Sequence, residues 1–151
     1  LAILELAWSG ETVSYDGKHY RMREMIFRPR PVQQPRIPIW VVALWPHERS
    51  LRRAIRWDGM IPAVSTDPTD LEAIPAERLR EITAWVKENR ESNRPFDIVI
   101  EGVTDGADPE AARATVAPLA EAGATWWIES RWANETVETL RERIRQGPPR
   151  L

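Results

Sequence analysis

The spacing of apolar positions changes repeatedly along the 151-residue chain, and each change predicts an element. Leu1, Leu4 and Trp8 fall at helical spacing and Ser9-Gly10 supplies a stop, which predicts a helix over 1–8. No capping residue precedes it, so the chain reads as starting inside a helix, as if cut from something longer. From 12 to 27 the period shortens. Residues 12–15 and 18–22 flank Asp16-Gly17, a hairpin turn pair, and predict a short hairpin, polar on one side, that makes a surface excursion. Prolines at 29, 31, 35 and 38 then exclude helix and central strand. They predict a rigid, extended connector delivering the chain into Ile39.

From Ile39 onward the pattern becomes regular. Residues 39–43 are continuously apolar and partly β-branched, as in a strand buried on both faces of a parallel sheet. Leu51, Ala54 and Ile55 form one face of a short helix, with Arg49, Arg52, Arg53 and Arg56 at the other positions. Asp58-Gly59 supplies a turn, 60–64 a second strand and 65–70 a loop. Pro75 opens a helix reaching Asn89 with Leu79, Ile82 and Val86 on its apolar stripe. After a polar break at 90–95 comes a third strand, 97–103, then a loop and a helix from Pro109 carrying Ala112, Val116, Leu119 and Ala120. Pro118 is expected to bend that helix or interrupt its bonding, and Gly123 to cap it. Residues 124–128 make a fourth strand. Asn134 is a candidate cap for a last helix bearing Val137, Leu140 and Ile144, which Gly147-Pro148-Pro149 ends.

Four strands alternating with helices define an α/β chain with a parallel sheet and right-handed crossovers. A doubly wound open sheet and part of a (β/α)₈ barrel both satisfy the pattern. A whole barrel takes about 250 residues, so four βα units preceded by a helix without a beginning read as its C-terminal half. The organisation is then one partial barrel domain over 1–151, with helix end, hairpin and Pro-rich connector in 1–37 and the four βα units in 38–151.

Composition narrows the partners. Lys and Arg total 21 against 23 Asp and Glu, a net charge of -2, which gives no reason to expect nucleic acid or an anionic membrane. There is no cysteine, hence no disulfide framework or thiolate metal site, and no apolar run near the roughly 20 residues of a membrane span. A cytoplasmic location follows as an expectation. Tryptophan occurs 8 times. Exposed indoles would suit sugar stacking, but Trp40 lies in an apolar strand and Trp85 in a helical pattern, so core tryptophan is the expected role.

Barrel chemistry sits at the C-terminal ends of strands, which singles out 43–49, 63–67, 101–108 and 129–132. The first offers a loop running into a helix, with N–H groups suited to an anion and Arg49 or Arg53 to add charge, although no glycine-rich phosphate motif is present. His47 is at this end, while His19 belongs to the hairpin. Glu101 and Glu129 lie at or near strand ends, placed for acid–base work or a hydroxyl contact, or equally for pairing with arginines. No nucleophile elbow, metal pattern or paired carboxylate spacing appears.

Several runs, in order, resemble the luciferase-like flavin-dependent monooxygenases: Leu6–Glu11 (LAWSGE), Tyr15–Tyr20 (YDGKHY), Arg28–Pro35 (RPRPVQQP), Pro38–Ala43 (PIWVVA) with Arg53-Ala54 and Trp57–Gly59, and Ala122–Ser130 (AGATWWIES). The resemblance implies a (β/α)₈ barrel that binds FMN, or in some branches the deazaflavin coenzyme F-420, with its phosphate near the loop after the fifth strand. If 39–43 is that strand, Ala43, Leu44, Trp45, Pro46 and Arg49 are the cofactor-binding positions. Many relatives carry glycine or a small polar residue where this chain has Ala43-Leu44-Trp45. The implied activity is an oxidoreductase in which reduced flavin activates O₂, or exchanges hydride with a small organic substrate. The counter-hypothesis is a non-catalytic half-barrel that oligomerises. Half a barrel exposes a sheet edge, so either a second copy or a missing N-terminal half is expected to cover it. The isolated chain is accordingly expected to be inactive and to bind FMN more weakly than micromolar.

Overall fold

A computed structural model of the chain describes residues 1–64, 73–131 and 135–149. It divides into two units, Leu1–Pro38 and Ile39–Leu151.

In the first unit, α1 (Ala2–Trp8) ends at Ser9, whose N–H and Oγ both donate to the Leu6 carbonyl. Only Ala7 of this helix is buried. Strands β1 (Thr12–Asp16) and β2 (Arg21–Ile26) pair antiparallel. The hairpin forms, but its turn is longer than the Asp16-Gly17 pair implies. Asp16 faces Arg21, an ion pair at 3.0 Å closes the ladder there, and Gly17 N–H donates to the Tyr20 carbonyl, so Gly17–Tyr20 is the loop. The proline-rich stretch joins no ladder; Arg36 Nε ties it to Glu5 on α1 at 2.9 Å.

The second unit carries β3 (Trp40–Leu44), α2 (Glu48–Ala54), β4 (Gly59–Ala63), α3 (Ala76–Asn89), β5 (Asp97–Gly102), α4 (Pro109–Glu121), β6 (Trp126–Glu129) and α5 (Val137–Gln146). The strands lie in the order β3-β4-β5-β6, all parallel. Half of a (β/α)₈ barrel has this arrangement.

One face of the sheet makes the core. Val41, Ala43, Met60, Ile98 and Ile100 alternate inward along their strands, and Leu51, Ala54, Leu79, Ile82, Val86, Ala112, Val116 and Leu119 close over them from the helices. Each fully buried Leu, Ile or Met contributes about 1.5–3 kcal/mol relative to exposure. On the other face, away from these helices, Val99 in the central strand β5 is fully buried, but Leu44, Ile61 and Ala63 are only half-buried. Val42 is 56% exposed, so β3 is not buried on both faces as its unbroken apolar run suggested.

Local chemistry sets the helix ends. Asp108 Oδ1 accepts from the N–H groups of Glu110 and Ala111, and Pro109 takes the first helical position. Helix α4 runs unbroken through Pro118. The missing N–H forfeits one bond, while the Pro118 carbonyl still accepts from Ala122 at 3.1 Å. Gly123, at φ +105°, then ends the helix as anticipated: its N–H reaches the Ala120 carbonyl and that of Ala124 reaches Leu119. Helix α5 is capped by Thr136, which exchanges bonds with Thr139; Asn134, the expected cap, lies outside the described residues. The polar break after α3 is held by Arg90, which donates to the carbonyls of Ser92 and Arg94 and stacks on Phe96.

Candidate functional site

Strand alternation and register place Trp40, Val42, Leu44, Ile61, Ala63, Asp97, Val99, Glu101, Trp126 and Ile128 on the sheet face away from the helices. In a flat sheet, β3 and β6 would stand three spacings, ~14 Å, apart. Yet the rings of Trp40 and Trp126 meet with centroids 5.3 Å apart. The sheet therefore curls, and this is its hollow side. Trp40 Nε1 also donates to Asp97 Oδ2 at 3.0 Å, fixing the indole across the N-terminal ends of the strands. At the C-terminal ends the same face presents Leu44, Ala63, Glu101 and Ile128.

The loop after β3 places the sequence-derived cofactor residues as follows. Ala43 is fully buried against the helices and offers only its backbone. Leu44 and Trp45 are half-buried, while Pro46, His47 and Arg49 are exposed. The loop's N–H groups are largely spent on itself: Leu44 donates to Ser50 Oγ at 3.0 Å, Trp45 to the Ala63 carbonyl at 2.8 Å, and His47 to the Leu44 carbonyl at 3.0 Å. Pro46 has none to give. His47 stands at the N-cap of α2 without a side-chain cap bond, and His19 is exposed in the hairpin loop.

The same bonds cover the free edge of β3. Trp45 N–H and the Ile39 carbonyl bond toward β4, so the backbone groups of Trp40, Val42 and Leu44 point outward. Ser50 takes the Leu44 N–H, His47 the Leu44 carbonyl, and Arg53 donates to the Val42 carbonyl at 3.1 Å. Arg53 thus acts on the strand edge.

The two candidate glutamates differ. Glu101 is exposed on the hollow face and accepts from Ser130 Oγ at 3.4 Å. Glu129 belongs to a knot on the helix side. It accepts from the N–H of Thr104 at 2.8 Å, Thr104 Oγ1 at 2.7 Å, Arg143 Nη2 at 3.1 Å and Trp127 Nε1 at 3.2 Å, and lies 3.5 Å from Arg131 Nε. Burial pushes its pKa up, but the bonds from Thr104, Arg143 and Trp127 outweigh that and hold it at about 2. It stays ionised and serves architecture. Sequence reasoning passed over Thr104 and Arg143, both buried polar residues. An arginine amid the apolar positions of α5 was the available clue.

Elsewhere, a groove of about 770 Å³ at β6 is lined by Val116, Trp127, Ile128, Leu140, Ile144 and Pro148, among others. None of the described tryptophans is fully buried. Trp8, Trp40, Trp45, Trp57, Trp85 and Trp127 are half-buried and Trp126 is 53% exposed, because the core is closed by aliphatic side chains. Trp132 and the loop 65–72 lie outside the described residues. Among the described residues no group of three or more His, Cys, Asp or Glu could hold a metal ion, and no helix is long and apolar enough to cross a membrane.

Among curated proteins, none matches the chain. The family model described as luciferase-like monooxygenase matches residues 1–148.

Proposed function

The chain belongs to the luciferase-like monooxygenase family, and on that premise we propose that it forms part of a flavin-dependent oxidoreductase acting on a small organic molecule. The observation that carries this reading is the family match across nearly the whole chain. The proposed cofactor is FMN, with the deazaflavin coenzyme F-420 as the alternative within the same family. A second copy of the chain is the proposed macromolecular partner.

The residues present suit such a group. Val42, Leu44, Ile61, Ala63 and Ile128 share one face and offer an apolar wall for a flat ring. Arg49, exposed in the first turn of α2 just after the loop that follows β3, would offer a guanidinium to the phosphate. Since the N–H groups of Leu44, Trp45 and His47 are already bonded within the fold, the phosphate would depend on that charge more than on a backbone cradle. Leu44, Trp45 and Pro46 would form the rim, and Ala43 its buried base. When bound, a reduced flavin supplies hydride exchange or activation of O₂. The chain's own part is to bind and orient it, to keep water off the ring, and to offer the Glu101 carboxylate to a hydroxyl.

Titration of the chain with FMN and with riboflavin, followed by tryptophan fluorescence, tests this. FMN is expected to bind more tightly than riboflavin, and Arg49→Ala to abolish the difference. Equal binding of the two by the unaltered chain, or a difference that survives Arg49→Ala, would overturn the phosphate placement. If neither flavin nor the deazaflavin coenzyme binds at millimolar concentration, the cofactor reading fails.

A further inference from the structure

Three carboxylates stand on the parallel sheet: Asp97 and Glu101 on β5, and Glu129 on β6. Two of them are taken up by the fold. Asp97 accepts from Trp40 Nε1 at 3.0 Å and Thr125 Oγ1 at 3.1 Å, and Glu129 is held by Thr104, Trp127 and Arg143 on the helix side. Glu101 is exposed and accepts one long bond, from Ser130 Oγ at 3.4 Å, with no cationic side chain paired to it among the described residues. Glutamate is disfavoured in strands, and nothing in the fold compensates this one.

Its surroundings on the hollow face are apolar. Ile128 lies beside it on β6, and the β4–β5 register, carried forward along the strands, puts Ala63 on its other side with Leu44 beyond. The row behind holds Val42, Ile61, Val99 and Trp126. Glu101 is thus the one ionisable group in these two rows. Arg131 and Arg143 are engaged on the helix side, Arg131 by Glu135 and the Thr104 carbonyl, Arg143 by Glu129 and Thr104 Oγ1. A hydroxyl would satisfy the Glu101 hydrogen bond and leave its charge unanswered, whereas an ammonium supplies donors and charge together. The loop after β3 lies two strands away, about 10 Å along the sheet, which leaves the β5–β6 side of the mouth for a substrate.

We propose that Glu101 is the substrate-selecting residue of the hollow face and that the class it selects is an organic ammonium, a protonated amine on an apolar body. The head group sits on the Glu101 carboxylate, which Ser130 Oγ steadies, and the body lies against Ala63 and Ile128. The assignment rests on the reading of the chain as an oxidoreductase for a small organic molecule, but not on where the flavin phosphate binds.

Titration of the flavin-free chain with hexylammonium, hexanol and hexanoate, followed by the amide NMR shifts of Glu101, Ile128 and Ser130, tests it. Hexylammonium is expected to bind about fivefold more tightly than hexanol, the upper end for a solvent-accessible ion pair, and hexanoate more weakly than either. Glu101→Gln should bring hexylammonium to the level of hexanol. Because Glu101 is exposed, circular dichroism of that variant should be unchanged. In the unaltered chain, added salt should weaken hexylammonium and leave hexanol as it was. No saturable hexylammonium shift at these amides, equal binding of hexanol, tighter binding of hexanoate, a preference that survives Glu101→Gln, or one indifferent to salt each overturns the assignment. FMN binding by a chain without the ammonium preference overturns this assignment and leaves the flavin reading standing. A chain that shows the preference and binds no flavin supports the ammonium site and sinks the cofactor reading instead.

Discussion

Trp40 and Trp126 belong to opposite edges of a four-stranded sheet, yet their rings touch at 5.3 Å with planes inclined by 54°. The contact spans the hollow of the sheet at the end remote from the proposed cofactor loop. It holds the curvature on which the hollow face depends. Tilted indole pairs contribute about 0.5–1.5 kcal/mol beyond the area they bury. A double-mutant cycle with Trp40→Ala and Trp126→Ala, read by urea unfolding, should return a coupling in that range. Additive effects would mean that the pair carries no curvature of its own.

Gly59 is the point where β4 passes beneath that contact. A Cβ added there would lie 2.7 Å from both the Asp97 carbonyl oxygen and Trp40 Cδ1. One obstacle is backbone, so relief requires the strands to part. Gly59→Ala should destabilise the chain by about 1–3 kcal/mol and shift the Trp40 fluorescence, both measurable in one denaturation series.

The Glu129 knot makes stability depend on acidity. Its folded pKa of about 2 lies below the ordinary 4.5, so protonation favours the unfolded chain. The stabilisation is complete above pH 4.5 and is lost as pH falls toward 2. The displacement corresponds to at most ~3 kcal/mol, and partial solvent exposure lowers it to roughly 2 kcal/mol. Glu129→Gln should flatten the acid limb of a stability–pH profile. Thr104→Val, which removes a bond to the carboxylate, should move that limb to higher pH.

Ser50 holds the edge of β3 by accepting the Leu44 N–H at 3.0 Å. Losing a hydrogen bond of this kind costs about 1 kcal/mol. In Ser50→Ala, hydrogen exchange at the Leu44 amide should therefore speed up about fivefold if local opening governs it. Unchanged exchange would show that the edge is held by the adjoining turn instead.

The element order could be read from the chain because its punctuation is local. Pro109 and Asp108 open a helix, Gly123 closes it, and the apolar period switches cleanly at Ile39. What escaped was long-range. The hairpin's true turn depends on Asp16 meeting Arg21, a cross-strand contact that the Asp16-Gly17 pair does not report. Val42 reads as a core residue, yet only its neighbours Val41 and Ala43 have helices over them. The tryptophans look like core by hydropathy, but the hollow face, not the aliphatic layer, holds Trp40 and Trp126. At the site, the loop position followed from strand order. That its N–H groups would be consumed by Ser50 and Ala63 did not, because those partners come from the next helix and the next strand.

The stitching along β3 has a consequence for what can come alongside that strand. With the outward Leu44 amide taken by Ser50, the Leu44 carbonyl by His47 and the Val42 carbonyl by Arg53, a foreign strand laid there finds its pairing partners already engaged. The rim is protected by its own next helix.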